Sequence, residues 1–111
     1  MKLSYEDHET ISVLTVSGSL SVDHVDTFRR ACHDRFAAGV SDVVIDMEYL
    51  TFIDSAWLEL LLWLIEELTD RGGRLKIVRP DETVCTILRI TRLEKRFDIH
   101  DSIESAAKSL R

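Results

Sequence analysis

Apolar positions change their period along the chain, and the changes divide it into short elements. Leu3 and Tyr5 alternate with polar residues, and Ile11, Val13 and Thr15 alternate with Ser12, Leu14 and Val16. A period of two predicts two strands joined by a polar turn at Asp7-His8-Glu9, the second ending at Gly18. Ser21 suits a helix N-cap, with Asp23 in the first turn where a helix favours an anion. Val25, Phe28, Cys32 and Phe36 then recur at helical spacing, which predicts a helix stopping near Gly39. Val43-Val44-Ile45 is a short β-branched run, the pattern of a strand buried on both faces. After a connection through Glu48 and Leu50, Phe52-Ile53-Asp54-Ser55 leads into a second helix that ends at Gly72-Gly73. Leu75, Ile77 and Val78 predict a strand, and Pro80-Asp81 opens a third helix carrying Val84, Ile87 and Leu88. Phe97 and Ile99 mark a last short strand. Asp101 with Glu104 resembles a capping box for a final helix striped by Ile103, Ala106, Ala107 and Leu110. The alternation predicts a single α/β domain over residues 1–111, a mixed sheet of about five strands with about four helices packed on it.

The second helix, from about Ser55 to Arg71, carries the most information. At ~100° per residue, Leu58, Leu61, Leu62, Ile65 and Leu68 fall together and are expected to face the sheet. Trp57, Leu60 and Leu64 widen that arc on one side. The opposite half holds Ser55, Ala56, Glu59, Glu66, Glu67 and Asp70, and Trp63 sits among them. A tryptophan among acids is either covered by a neighbouring element or part of a contact surface, since Trp is favoured at the centre of interfaces. A homodimer would use the same surface.

Composition narrows the function. The 111 residues make one domain, and 45% apolar with 31% charged residues can bury a core and still dissolve. A net charge of -6 repels phosphate backbones and anionic lipid heads, so nucleic acid and membrane surfaces are poor partners. Arg29, Arg30 and Arg35 cluster, but a solvated helix face explains them. The opening residues lack the apolar segment of a secretion signal, and the longest apolar run, Leu60 to Ile65, is far short of the ~20 residues a membrane helix needs. A cytoplasmic protein is expected, without direct membrane insertion. Cys32 and Cys85 lie apart among apolar residues, as small buried hydrophobes do in a reducing compartment.

Reactive constellations are missing. His8, His24, His33 and His100 form no ligand pair with a cysteine at zinc-like spacing, so no metal site or cofactor is expected. Ser55 lacks the context of a nucleophile elbow, and Gly72-Gly73 reads as a helix stop rather than a phosphate loop. Asp46 and Asp54 could form an acid pair, but Asp46 closing a strand and Asp54 capping a helix is the simpler reading. A binding module is expected, not an enzyme.

Val43-Val44-Ile45-Asp46-Met47, followed by Leu50-Thr51-Phe52-Ile53-Asp54-Ser55 and a leucine-rich helix, resembles the STAS domain of bacterial anti-sigma factor antagonists. Ser17-Gly18-Ser19-Leu20 and Gly72-Gly73-Arg74-Leu75 fit the same pattern, and the order of elements matches over nearly the whole chain. The resemblance implies a partner of the anti-sigma factor and serine kinase type, bound at the helix start. It also implies release when a serine or threonine there is phosphorylated. The family pattern is Asp-Ser-Ser/Thr-Gly-Leu, with the acceptor after the Asp-Ser pair. Here Ala56 occupies the acceptor position, Trp57 replaces the glycine, and Leu58 keeps the leucine. The partner-binding residues expected from this match are Asp54, Ser55, Ala56, Trp57, Glu59 and Trp63. Three readings stand: a binding module without the phosphate switch, modification shifted to Ser55 or Thr51, or a STAS subunit of a lipid or anion transport complex.

Overall fold

The computed structural model describes residues 1–110. Five strands, β1 (Lys2–His8), β2 (Ile11–Leu20), β3 (Asp42–Ile53), β4 (Leu75–Val78) and β5 (Asp98–His100), form one sheet in the order β1-β2-β3-β4-β5. The β1–β2 pair is antiparallel and every later pair is parallel. Helices α1 (Val25–Ala37), α2 (Ser55–Asp70) and α3 (Glu82–Ile90) are the crossovers, and α4 (Ile103–Ser109) follows the last strand. The mixed α/β architecture agrees with the pattern of the sequence.

Because strand order never reverses, successive crossovers of one hand put α1, α2 and α3 on the same face. The main core lies there: Leu14, Val43, Ile45 and Ile77 from the sheet meet Phe28, Cys32, Leu61, Leu64, Val84 and Leu88. The opposite face is covered by α4 alone, where Ala106 closes over Val13, Val44 and Val78. Val43-Val44-Ile45 is therefore buried on both faces, all three fully shielded from water.

Several local expectations shift. Gly18 does not end β2; it lies inside it at φ 85°, where the register against β3 slips between Gly18 and Ser19. A left-handed residue is cheap only for glycine, and the residue read as a stop instead stands opposite a bulge of β3, where Thr51 has no partner on β2. The hairpin turn is shorter than Asp7-His8-Glu9, with Asp7 and His8 still paired to β2 and Glu9 at φ 58°. Glu48 and Leu50 belong to β3, which runs on to Ile53 because β2 continues alongside it. Asp46 thus sits within a strand rather than closing one. Ser21 takes the N-cap position of a 3-10 turn over Val22–His24 without a side-chain bond to its backbone, and α1 begins only after it. For α4 the cap is Ser102, whose hydroxyl accepts from the Ser105 N–H at 3.0 Å, not the Asp101–Glu104 pair.

Candidate functional site

The start of α2 is built by its cap. β3 delivers a buried Ile53, and Asp54 follows in extended conformation, its Oδ1 accepting from the Trp57 N–H at 3.1 Å. The Asp54 carbonyl takes the Leu58 N–H at 3.2 Å. The first bond settles one of the donors a helix start leaves open, and the second is the first bond of the helix itself. Ser55 and Ala56 occupy the first two helical positions, Ser55 exposed and Ala56 half-buried.

Trp57 is not on the surface where a docking residue was expected. Its ring is 1% exposed, its indole N–H donates to the Ser21 carbonyl at 2.7 Å, and it meets Phe28 edge-on at 5.1 Å. A residue on the apolar side of a helix start, facing α1, buries its ring and satisfies its one donor on a backbone carbonyl. It therefore locks the start of α2 to the turn before α1. Burial along α2 shifts with it: Trp57, Leu60, Leu61, Leu64 and Leu68 are deep, whereas Leu62 and Ile65, expected to face the sheet, are half-buried.

Around the cap lies an accessible surface. Thr51, Ser55 and Glu59 are exposed, and so is the Phe52 ring at 48%. Val22, 64% exposed, stands one residue from the Ser21 carbonyl that holds Trp57. The two apolar side chains escaped sequence reasoning, because Phe52 passes for a core strand residue and Val22 for an ordinary helix-entry residue. Along α2, Ala56, Glu59 and Trp63 follow at i, i+3 and i+7, one stripe of the helix. Trp63 is half-buried about 10 Å along the axis from Ala56. It is covered in part by α1, with the His33 ring at 5.3 Å and the Arg29 guanidinium 5.2 Å from the indole. The fold thus brings Asp54, Ser55, Ala56 and Glu59 together, adds Trp63 at the far end of the stripe, and withdraws Trp57.

The other candidate groups are dispersed. Asp46 points to the opposite face of the sheet, where its carboxylate, 5% exposed, meets Arg79 at 2.9 Å; Arg79 also reaches Glu48 at 3.2 Å. The hydrogen bond to Asp46 holds the Arg79 guanidinium more firmly protonated. Asp46 and Asp54 are therefore a structural ion pair and a helix cap, not an acid pair. Burial pushes the Cys32 thiol up to about 12, so no thiolate forms there near neutral pH. Cys85 is half-buried, its sulfur 3.6 Å from the Pro80 carbonyl, and both cysteines are free. Arg35 pairs with Asp7 over the Tyr5 ring, Arg29 leans on Trp63, and Arg30 is exposed, so the three do not act as one patch. Among the described residues, no helix is long and apolar enough to cross a membrane.

Comparison with known proteins agrees with this fold. The family model described as STAS domain matches residues 2–106. A Thermotoga maritima protein named for anti-sigma factor antagonism is 23% identical over 108 residues, covering 96% of each chain. The anti-sigma factor antagonist SpoIIAA in its unphosphorylated form superposes with a TM-score of 0.87 at 22% identity, covering 99% of this chain and 96% of that one. An anti-sigma factor antagonist from Mycobacterium paratuberculosis gives 0.86 at 24% identity, covering 99% and 93%.

Proposed function

The chain belongs to the STAS domain family, and on that premise we propose that it is a protein-binding regulatory module of the anti-sigma factor antagonist kind. It docks an anti-sigma factor and serine kinase partner in the cytoplasm through the start of α2, and it catalyses nothing itself. Thr51, Phe52, Asp54, Ser55, Ala56 and Glu59 make the contact, with Val22 beside them and Trp63 at the end of the stripe. Trp57 acts from beneath, by holding the surface in shape.

The observation that carries this reading is Ala56 at the second helical position. A methyl group stands where the family pattern places the phosphate acceptor, on a helix start whose cap and leucine are intact. A phosphate would add about -1.5 to -2 charges and three acceptor oxygens beside the Asp54 and Glu59 carboxylates, on a surface whose other groups are the Ala56 methyl, the Thr51 and Ser55 hydroxyls and the apolar side chains. Without an acceptor hydroxyl, the docking surface stays competent. Ser55, exposed one residue earlier, is the specific alternative, followed by Thr51.

Titration calorimetry against the anti-sigma kinases of the same cell tests the site. Ala56→Glu is expected to weaken the complex at least on the order of tenfold, since it buries an unpaired charge at an interface, and Phe52→Ser to weaken it also. If both variants bind as the wild type does, the helix start is not the docking surface.

A further inference from the structure

The end of α3 differs from the ends of α1 and α2 in a way that its packing does not explain. All three helices close with the same reach-back hydrogen bond, from Val40 to Arg35, from Gly73 to Leu68 and from Leu93 to Leu88. This closure needs one left-handed residue just before the donor. Gly39 at φ 94° and Gly72 at φ 75° supply it for α1 and α2, but at the end of α3 the residue is Arg92, at φ 60°. Glycine is the inexpensive choice there, and any other residue meets steric cost from its Cβ. An arginine stands where the fold alone would favour a glycine.

The Arg92 side chain, with Arg89, Lys95 and Glu94, lines a surface cavity of about 370 Å³. Arg96 follows in the 3-10 turn Glu94–Arg96. Arg29, Arg35, Arg71, Lys76, Arg79 and Lys108 all have a carboxylate within 4.0 Å; among the described residues Lys2, Arg30 and Arg74 stand singly without one, and Arg89, Arg92, Lys95 and Arg96 are without one within a single short stretch of chain. Arg89 in the last turn complements the helix dipole, but Arg92, Lys95 and Arg96 lie beyond the helix and gain nothing comparable. In a chain of net charge -6 this is a local excess of positive charge with no internal use. Beside it Ile90 is 74% exposed, more than Tyr5, Val22, Tyr49, Phe52 or Ile99. Since α2 and α3 both start at the C-terminal edge of the parallel strands, the end of α3 lies at the opposite edge from Asp54.

We propose that this patch is a second docking surface, which binds an acidic segment of a protein partner and seats an apolar side chain of that segment on Ile90. Guanidinium groups at Arg89 and Arg92 can each take a carboxylate through two parallel N–H donors, and Lys95 adds a point charge. A peptide segment suits the patch better than the other polyanions. The exposed side chains here include no aromatic ring on which a base could stack, and the acidic body of the domain repels an extended phosphate surface. One exposed isoleucine is too little to anchor the domain on a bilayer. The inference does not depend on the α2 reading, because none of its residues belongs to that site.

The test uses the full chain and a short fluorescein-labelled oligoglutamate peptide with one central leucine, read by fluorescence anisotropy at low and moderate salt. Wild type is expected to bind with an affinity that falls as salt rises. Arg89→Ala combined with Lys95→Ala should bind on the order of tenfold more weakly, and Arg30→Ala, which removes an exposed cation on α1, should bind as wild type. Arg92→Gly separates binding from folding: it should melt a few degrees higher than wild type while binding the peptide less well. Equal binding by wild type and the double variant overturns the proposal. So does preferential capture of phosphatidylglycerol vesicles or oligo-dT by wild type in place of the peptide. An Arg92→Gly protein that melts lower than wild type overturns the reading that the side chain serves binding at a cost to the fold.

Discussion

Trp57→Phe distinguishes a tryptophan that docks a partner from one that holds the docking surface in place. Phenylalanine keeps an aromatic ring against Phe28 but loses the indole N–H that donates to the Ser21 carbonyl at 2.7 Å. At 1% exposure, water cannot replace the lost donor without opening the joint between α2 and the turn before α1. The Ser21 carbonyl keeps the His24 N–H at 3.0 Å, so losing the indole bond costs about 0.5–1.5 kcal/mol, and the smaller ring leaves a cavity worth about another 1 kcal/mol. A loss of roughly 1.5–2.5 kcal/mol follows, which for a domain of this size lowers the melting temperature by about 8 °C. Ser21→Ala is the internal control: the acceptor is a backbone carbonyl, so this variant should melt close to wild type. Thermal unfolding followed by circular dichroism measures both, and calorimetry at a temperature where each variant is folded measures partner binding. If Trp57→Phe melts with the wild type and yet loses its partner, the ring works at the surface and the buried joint is not its role.

Four further substitutions probe the frame around the site. At Gly73 a Cβ would stand 1.6 Å from the Ser41 carbonyl oxygen, whereas at Gly39 nothing lies within 4 Å. Gly73→Ala should therefore cost at least ~3 kcal/mol in urea unfolding and Gly39→Ala only the ~1 kcal/mol of its left-handed backbone, and similar losses would contradict the packing. Ser12 is fully buried with no partner for its hydroxyl. Ser12→Ala should be neutral or stabilising by up to ~1 kcal/mol, and a clear loss of stability would reveal a bond that the fold does not display. The ammonium of Lys76, 6% exposed, meets the far more exposed Asp98 at 2.6 Å, and that hydrogen bond holds the Asp98 carboxyl below its ordinary range. A depressed carboxylate stabilises the fold above its unfolded value of ~3.9 and loses that contribution as pH falls through the lower folded value. Asp98→Asn should then be less stable than wild type from neutral pH to about pH 5, with the gap closing below about pH 4; a gap independent of pH would exclude the charge as its source.

The parts of this fold that depend on local pattern were legible in the chain. The Phe28, Cys32 and Phe36 stripe, the doubly buried Val43-Val44-Ile45 run and the Gly72 stop all follow from spacing and residue type. What was hidden depends on partners distant in sequence. β3 extends past Asp46 because β2 lies beside it as far as Leu20, and polar residues such as Glu48 and Thr51 read as loop without that neighbour. On a helix apolar over half its circumference, a wheel cannot say which part of the arc faces inward. The Ser21 carbonyl and Phe28 decide it, drawing in Trp57 and leaving Leu62 and Ile65 half-covered. The cap at Asp54 was plain from the residues themselves, since an aspartate before a helical run needs only its own next turn. Val22 and Phe52 were missed for the opposite reason: their exposure is visible only once the turn and strand are in place.

The central claim is that the helix start docks its partner with no phosphate switch. A complex of the wild-type chain with an anti-sigma kinase of the same cell, incubated with Mg-ATP and followed by intact mass and by binding, tests it most directly. The account predicts an unmodified mass and a complex that persists, while Ala56→Ser gains one phosphate and releases the partner. Wild-type protein that gains a phosphate on Ser55 or Thr51 and dissociates would contradict it.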